Sequence, residues 1–311
     1  MVNALYRSRE AATGIGQTSG SWHGHNIVKN MRIGVHVSIA GKIYESLERA
    51  KALGCATMQI FSRNPRGWQV TKLDPKDVAE FKRLKAAYDI RPIVVHIPYI
   101  INLATPDDGL YGKSIDAYIE DIGRSDALGA EYFVTHLGSH VGTGEEGGIK
   151  RFTAALCQII KKAKPRTMIL LENTAGSGSC IGYRFEHLKG IIDGLEDPSS
   201  VGVCLDTAHT FEAGYDIKTK VGLDKTLKNF DDLIGLDRIK VVHFNDSLSP
   251  FGSRVDRHQH LGKGRLGLDA LSRIINHPGL KGAAFIMETP KKADRDDKRN
   301  LAVAKKMCKN K

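Results

Sequence analysis

From Met31 onward, short apolar runs rich in β-branched residues alternate with longer amphipathic ones. Eight short runs stand out: 31–37 (MRIGVHV), 57–62 (TMQIFS), 92–97 (PIVVHI), 131–137 (EYFVTHL), 167–172 (TMILLE), 201–206 (VGVCLD), 239–245 (IKVVHFN) and 283–288 (AAFIME). They are apolar throughout instead of alternating in polarity, which predicts strands covered on both faces, as in a parallel sheet. The stretches between them read as helices with recognisable ends. Asp74 before Pro75 is an N-cap followed by a first-turn proline and opens a helix over 75–88. Gly54 and Gly129 stand just past helices over 43–53 and 112–128, where a C′ glycine belongs. Strand and helix alternating eight times in about 260 residues predicts a single-domain α/β fold, the (β/α)8 TIM barrel, over 31–290. An open doubly wound sheet is the alternative, since periodicity alone does not close a sheet. Residues 1–30 have no sustained period and read as a flexible extension.

The composition, with 41% hydrophobic and 26% charged residues, is that of a globular chain and excludes fibrous, collagen-like or wholly disordered ones. No run approaches the ~18 apolar residues of a membrane span, and Arg7 and Arg9 are not followed by the apolar core of a secretory signal. The five cysteines, Cys55, Cys157, Cys180, Cys204 and Cys308, are scattered and form no Cys-x-x-Cys pair. A reduced, cytoplasmic chain without a thiolate metal site is expected.

Catalytic residues of such a barrel gather at the C-terminal ends of its strands. The runs end in His96, His136, Glu172, Asp206 with His209 just beyond, His243 and Glu288, and the loop after the seventh adds Asp256 and His258. Any one of these could be a hydrogen-bonded structural residue, the reading kept for His140, His187, His260 and His277, which lie off the strand ends. Five imidazoles and four carboxylates in one cavity, however, call for compensating cations. Nine ligands exceed the three or four of a single zinc and suit two or three ions with bridging carboxylates. The nitrogen and oxygen mixture favours zinc, manganese or iron over magnesium. A pair of metals roughly 3.5–4 Å apart can clamp the attacking and leaving oxygens of a phosphoryl displacement, so phosphodiester hydrolysis is the expected reaction class.

Two glycine-rich segments carry less than they suggest. Gly262-Lys-Gly264-Arg-Leu-Gly267 has dinucleotide-binding spacing but follows a polar loop where a strand is required. Gly142-Thr-Gly144-Glu-Glu-Gly147-Gly148 lacks the lysine of a phosphate loop and reads as a flexible surface loop.

Longer motifs narrow the reading: Gly34-Val-His36-Val-Ser38, Leu171-Glu172-Asn173-Thr174-Ala175-Gly176, Val203-Cys204-Leu205-Asp206-Thr207-Ala208-His209, His243-Phe244-Asn245-Asp246, and Phe251-Gly252-Ser253-Arg254-Val255-Asp256-Arg257-His258 continuing to Leu261-Gly262-Lys263-Gly264. In these the chain resembles endonuclease IV, the metal-dependent apurinic/apyrimidinic endonucleases of base-excision repair, from about Met31 to Glu288. The resemblance implies three Zn2+ ions, with Mn2+ as an alternative occupant of one or more positions. His96 and His136 would hold the first, and Glu172 would bridge it to a second held also by Asp206, His243 and Glu288. His209, Asp256 and His258 would hold the third. It further implies incision 5′ to an abasic site in double-stranded DNA by a hydroxide between the first two metals, with Glu172, His96 and His136 catalytic. The products would be a 3′-hydroxyl and a 5′-deoxyribose phosphate, and 3′-blocking groups would also be removed.

In that family, side chains after the second and third strands wedge into the duplex. The matching positions are Arg66, Trp68, Tyr99 and Ile100, although Trp68 and Tyr99 would also suit packing against the barrel rim. Gly67, where relatives carry a longer polar side chain, and the stiffening Pro98 depart from the pattern. A monomer is implied, with no membrane partner. Two other functions fit the same barrel: a metal-dependent sugar isomerase or epimerase, and a DNA-binding relative without catalysis.

The net charge of +11 is unevenly placed. Residues 291–311 hold nine Lys or Arg against three Asp, a net +6, and residues 1–30 add +2, leaving +3 for the barrel. The basic C-terminal segment is expected to form a helix or tail closing the barrel and to supply salt-sensitive attraction to a duplex.

Overall fold

All eight runs form strands, most of them trimmed by one or two residues at each end: β1 (Ile33–Val35), β2 (Met58–Phe61), β3 (Ile93–His96), β4 (Tyr132–Thr135), β5 (Met168–Glu172), β6 (Val201–Asp206), β7 (Ile239–His243) and β10 (Ala284–Met287). Between β7 and β10 lies a small antiparallel ladder, β8 (Asp246–Ser247) with β9 (His258–Gln259). The computed structural model describes residues 31–308, so the expected extension over 1–30 and the last three residues of the basic tail lie outside the described residues.

The eight strands run parallel in the order β1-β10-β7-β6-β5-β4-β3-β2. Backbone bonds join the two ends of that order: Ala56 N–H to the Ile33 carbonyl at 2.9 Å and Val37 N–H to the Gln59 carbonyl at 2.7 Å. The sheet is therefore a closed barrel, and the open doubly wound alternative is excluded.

The outer ring consists of α1 (Glu45–Leu53), α2 (Pro75–Tyr88), α3 (Asp108–Leu128), α4 (Glu145–Ala163), α5 (Phe185–Asp193), α6 (Thr207–Glu212), α7 (Lys220–Leu233), α8 (Gly267–Ile275) and α9 (Asp294–Met307). Helix α2 has the sequence-predicted bounds because Asp74 accepts the Lys76 N–H and Pro75 fills the first turn. Gly54 and Gly129 end α1 and α3 at φ of 75° and 69°, a conformation that penalises any side chain. Helix α3 starts four residues earlier than the pattern predicts, capped by Asp107 through the Leu110 N–H. The acidic pair of the 142–148 segment is not a flexible loop: Glu145 and Glu146 open α4, where carboxylates favour the positive end of the helix dipole.

The basic C-terminal segment is mostly α9, whose Leu301 and Ala304 are buried and which packs beside β1, α1 and α8. Lys305 Nζ caps α1 by donating to the Gly54 carbonyl at 2.6 Å. Lys291 pairs with the buried Asp297 at 2.5 Å.

Inside the barrel, Val94, Val134, Leu170, Cys204, Val241 and Ile286 form a buried plug separate from the core between sheet and helices. Side chains alternate along a strand with period 2, so the residue two positions further on each strand lies on the same inner face, one layer higher. Those residues are His96, His136, Glu172, Asp206, His243 and Glu288.

Candidate metal centre

The layer above the plug is completed by His36, just past β1, and Gln59, within β2, each bonded to Glu288. It floors a cavity of about 340 Å3 lined also by Phe61, Tyr99, His209, Asp256 and His258. All nine residues read from the strand ends and the loop after β7 converge here.

Ligand atoms of three groups lie within 4.8 Å of one another: His96, His136 and Glu172; Glu172, Asp206, His243 and Glu288; and Asp206, His209 and His258. Asp256 joins the last group, 3.2 Å from His209 Nε2 and 3.6 Å from His258 Nε2.

In the first group, His96 Nε2 and His136 Nε2 both face Glu172 Oε2, at 3.2 and 3.1 Å. In the second, His243 Nδ1 lies 2.8 Å from Glu172, 3.3 Å from Glu288 and 3.9 Å from Asp206. In the third, the Nε2 atoms of His209 and His258 face each other at 3.4 Å.

The opposite nitrogens of four imidazoles are tied down. Nδ1 of His96 bonds to the Ile97 carbonyl at 2.7 Å, Nδ1 of His209 to that of Asn173 at 2.9 Å and Nδ1 of His258 to that of Glu288 at 3.2 Å. His243 Nε2 bonds to Gln59 Oε1 at 2.8 Å. Carbonyl oxygens only accept, so each of these nitrogens carries the proton, and the other nitrogen can present a lone pair to the cavity. Imidazoles oriented in this way, with carboxylates between them, are a donor set suited to divalent metal ions.

The electrostatics of the protein alone show why cations fit. Burial opposes ionisation of Glu172, yet the imidazoles of His243 and His136 hold its carboxyl well below the usual range. Burial likewise works against the Glu288 charge, and His243 and His36 hold that carboxyl low as well. Desolvation disfavours protonation of His209 and His243, but Asp206 and Asp256 raise the former, and Glu288 with Glu172 the latter, well above the ordinary histidine value. Burial lowers His96 instead, leaving a neutral donor. Glu172, Glu288 and Asp256 thus keep their charge, Glu172 with no exposure to solvent, so the centre is built for positive charge. Cys204, beneath the layer, contributes none of its chemistry: burial pushes its thiol up to about 12.

Residues without their own metal chemistry hold the ligands. Asn245 donates to Asp206 Oδ2 at 2.7 Å and accepts the Glu288 N–H at 2.8 Å. Asn173 accepts the Asp206 N–H at 2.7 Å, and Asp206 caps α6 through the His209 N–H at 2.8 Å, fixing two of the nine residues together. The glycine-rich loop 262–267 wraps a carboxylate: Asp246 accepts the N–H groups of Gly262, Gly264, Leu266 and Gly267. His36, Asn173, Asn245 and Asp246 stand inside the quoted motifs and Gln59 in the second apolar run, but none of them reads as a strand-end metal ligand. Of the histidines off the strand ends, His187, His140 and His277 accept backbone N–H groups in local turns, and His260 bonds to Asn300.

The four wedge candidates separate. Tyr99 is 60% exposed and projects over the cavity, its ring 5.3 Å from Phe61. Arg66 is exposed on the preceding loop. Trp68 and Ile100 pack against the core, Trp68 with Lys113 Nζ 4.3 Å above its ring.

Comparisons with known proteins agree with this geometry. The family model described as "Xylose isomerase-like TIM barrel" matches residues 47–309. "Probable endonuclease 4" of Halothermothrix orenii is 44% identical over 266 residues, 86% of this chain and 96% of that protein. The protein of that name from Methanosphaerula palustris is 44% identical over 281 residues, 89% of this chain and 98% of its own. Among solved structures, endonuclease IV from Thermus thermophilus superposes with a TM-score of 0.81 at 38% identity, covering 89% of this chain and 98% of that one. A D-tagatose 3-epimerase-like protein, with a TM-score of 0.67 at 20% identity over 89% of this chain and 97% of its own, shares the barrel alone. By sequence over nearly the whole barrel and by fold, the chain belongs to the endonuclease IV family.

Proposed function

We propose that this protein is a DNA-repair endonuclease that hydrolyses the phosphodiester 5′ to abasic sites in duplex DNA, leaving a 3′-hydroxyl and a 5′-deoxyribose phosphate. The observation that carries this reading is the set of nine donors in three adjoining groups, with the outer nitrogens of four imidazoles fixed by hydrogen bonds. In this reading His96, His136 and Glu172 hold one zinc ion, Glu172, Asp206, His243 and Glu288 a second, and His209, Asp256 and His258 a third. Bound there, the ions would supply a hydroxide at neutral pH and neutralise the phosphate and the departing oxygen.

The chain's own residues prepare that site. Their side chains are already aimed at one another before any ion arrives, so a metal would displace protons from His209 and His243 while the side chains move little. A cavity of about 340 Å3 accepts a sugar phosphate but not a duplex, so the target nucleotide must leave the stack. An abasic nucleotide does this at the least cost, because it has no base to unpair or unstack. Tyr99, exposed at the rim beside Phe61, is placed to fill the gap left behind. The third group, His209 with Asp256 and His258, favours phosphodiester chemistry over sugar epimerisation, which has no use for a further cation on a phosphate.

The test is a duplex with one stable abasic analogue, incubated with the zinc-loaded protein and analysed by mass. The expected products end in a 3′-hydroxyl and a 5′-deoxyribose phosphate. An uncut duplex, or scission on the 3′ side, overturns the reading.

A further inference from the structure

Helix α6 carries His209 near its start and ends at Glu212, a fully buried carboxylate three residues on. Glu212 Oε1 accepts the Ser247 hydroxyl at 2.6 Å and the Arg257 N–H at 3.3 Å. Ser247 belongs to β8 and faces His258 across the ladder, while Arg257 immediately precedes β9. One carboxylate oxygen thus holds both strands of the β8–β9 hairpin, and the loop between them, 248–257, carries Asp256. The backbone adds to the seat: the Glu212 carbonyl accepts the Arg254 N–H at 2.9 Å, and the Phe211 carbonyl accepts the Gly252 N–H at 3.1 Å. The loop tip has separate support from Ser177, which bonds to the Arg254 carbonyl and the Asp256 N–H.

Stability does not account for Glu212. Its second oxygen, Oε2, is buried without a hydrogen-bond partner, which costs folding free energy that an apolar side chain would not. What the side chain achieves is geometric: it fixes Asp256 and His258, from a long loop, against His209, from a helix.

We propose that Glu212 is the positioning residue of the third metal site, and that its loss empties that site while leaving the other two filled. This rests on the three-metal reading above. The other two groups come from strand ends and do not depend on the hairpin.

The test uses the full chain with Glu212→Ala, Glu212→Gln and Ser247→Ala. Zinc per chain is measured by atomic emission, and hydrogen exchange of 248–257 is followed with and without metal. Glu212→Ala is expected to hold two zinc ions where the unsubstituted protein holds three, with exchange in 248–257 at least tenfold faster in both states. Glu212→Gln, whose amide oxygen can accept the same two bonds, is expected to regain the third ion. A general loss of stability would lower all sites together and would not be rescued this way. Glu212→Ala with three ions and unchanged exchange overturns the proposal. Should that variant fail to fold, Ser247→Ala decides: it is expected to release the third ion at least threefold more readily, and unchanged release overturns the proposal. Fewer than three ions in the unsubstituted protein contradicts the three-metal reading instead, and exchange in the metal-free protein then still tests the seat.

Discussion

Glu172 Oε1 lies 2.8 Å from His243 Nδ1, and neither side chain is exposed to solvent. The same carboxylate reaches His96 and His136 through its other oxygen, so it joins two of the three groups of donors. Replacing it with glutamine keeps the shape and removes the charge. Loss of an outer-shell partner typically lowers metal affinity or activity by about 10–100-fold, so loss of this shared ligand should exceed that. Glu172→Gln is expected to retain at most one zinc ion and to lose incision by more than about a hundredfold. Emission spectroscopy and an incision assay check this together; a variant that is both metal-replete and active contradicts the shared-ligand role.

Burial pushes the Glu212 carboxyl up to about 7 from an ordinary 4.5, with Ser247 opposing the shift. The folded protein therefore binds this proton more tightly than the unfolded chain. The resulting stability is complete below pH 4.5 and is lost as pH rises to about 7. Glutamine does not titrate. In metal-free protein, the stability of Glu212→Gln relative to the unsubstituted chain should rise across that window by roughly 3 kcal/mol. Urea denaturation at a series of pH values measures it, and a difference that stays flat or falls with pH contradicts the assignment.

Asp246 holds the glycine-rich loop through four backbone donors. Hydrogen bonds to a charged group contribute about 1.5–3 kcal/mol each, and the four are not additive. Asp246→Ala should lose roughly 3–5 kcal/mol, with the protection of 262–267 against hydrogen exchange collapsing first. Stability within about 0.5 kcal/mol of the unsubstituted protein, the usual range for an inconsequential surface change, would contradict the role.

Tyr99 and Trp68 should behave differently although both are aromatic residues at the same rim. Stacking on a base or in its gap contributes roughly 1–3 kcal/mol, and only Tyr99 is exposed to offer it. Tyr99→Ala should weaken binding to abasic duplex by about that amount and binding to intact duplex much less. Trp68→Ala should chiefly lower thermal stability, since the ring packs on the core beneath Lys113. Fluorescence anisotropy with the two duplexes separates these outcomes; equal losses for Tyr99→Ala on both contradict the wedge.

All nine donors were legible in the sequence, His209, Asp256 and His258 from just past a strand or from a loop, and six from strand ends, where a barrel strand imposes a period of two. Each of these six stands two places after an apolar residue of the inner plug, as His243 follows Val241 and Glu288 follows Ile286. His36 and Gln59 complete the same layer but went unread. One lies where the pattern continued the strand to Val37, and the other is an amide, which carries no metal signal. The start of α3 was hidden by Gly109, which resembles a breaker but lies within the helix. Glu212 was invisible for another reason: its role depends on a hairpin more than 30 residues downstream, set by β8–β9 pairing and not by any local pattern. The C-terminal segment was legible as a basic helix or tail closing the barrel, but which of its residues seat the helix, Leu301, Ala304 and Lys305, was not.

The central claim is that this cavity cuts abasic DNA with three metal ions. Protein stripped by a chelator and then titrated with zinc tests it most directly, with bound ions per chain and incision of a singly abasic duplex followed in the same samples. The account predicts no incision by the stripped protein and full recovery as the third ion binds. Incision by metal-free protein, or no incision with the site filled, would contradict it.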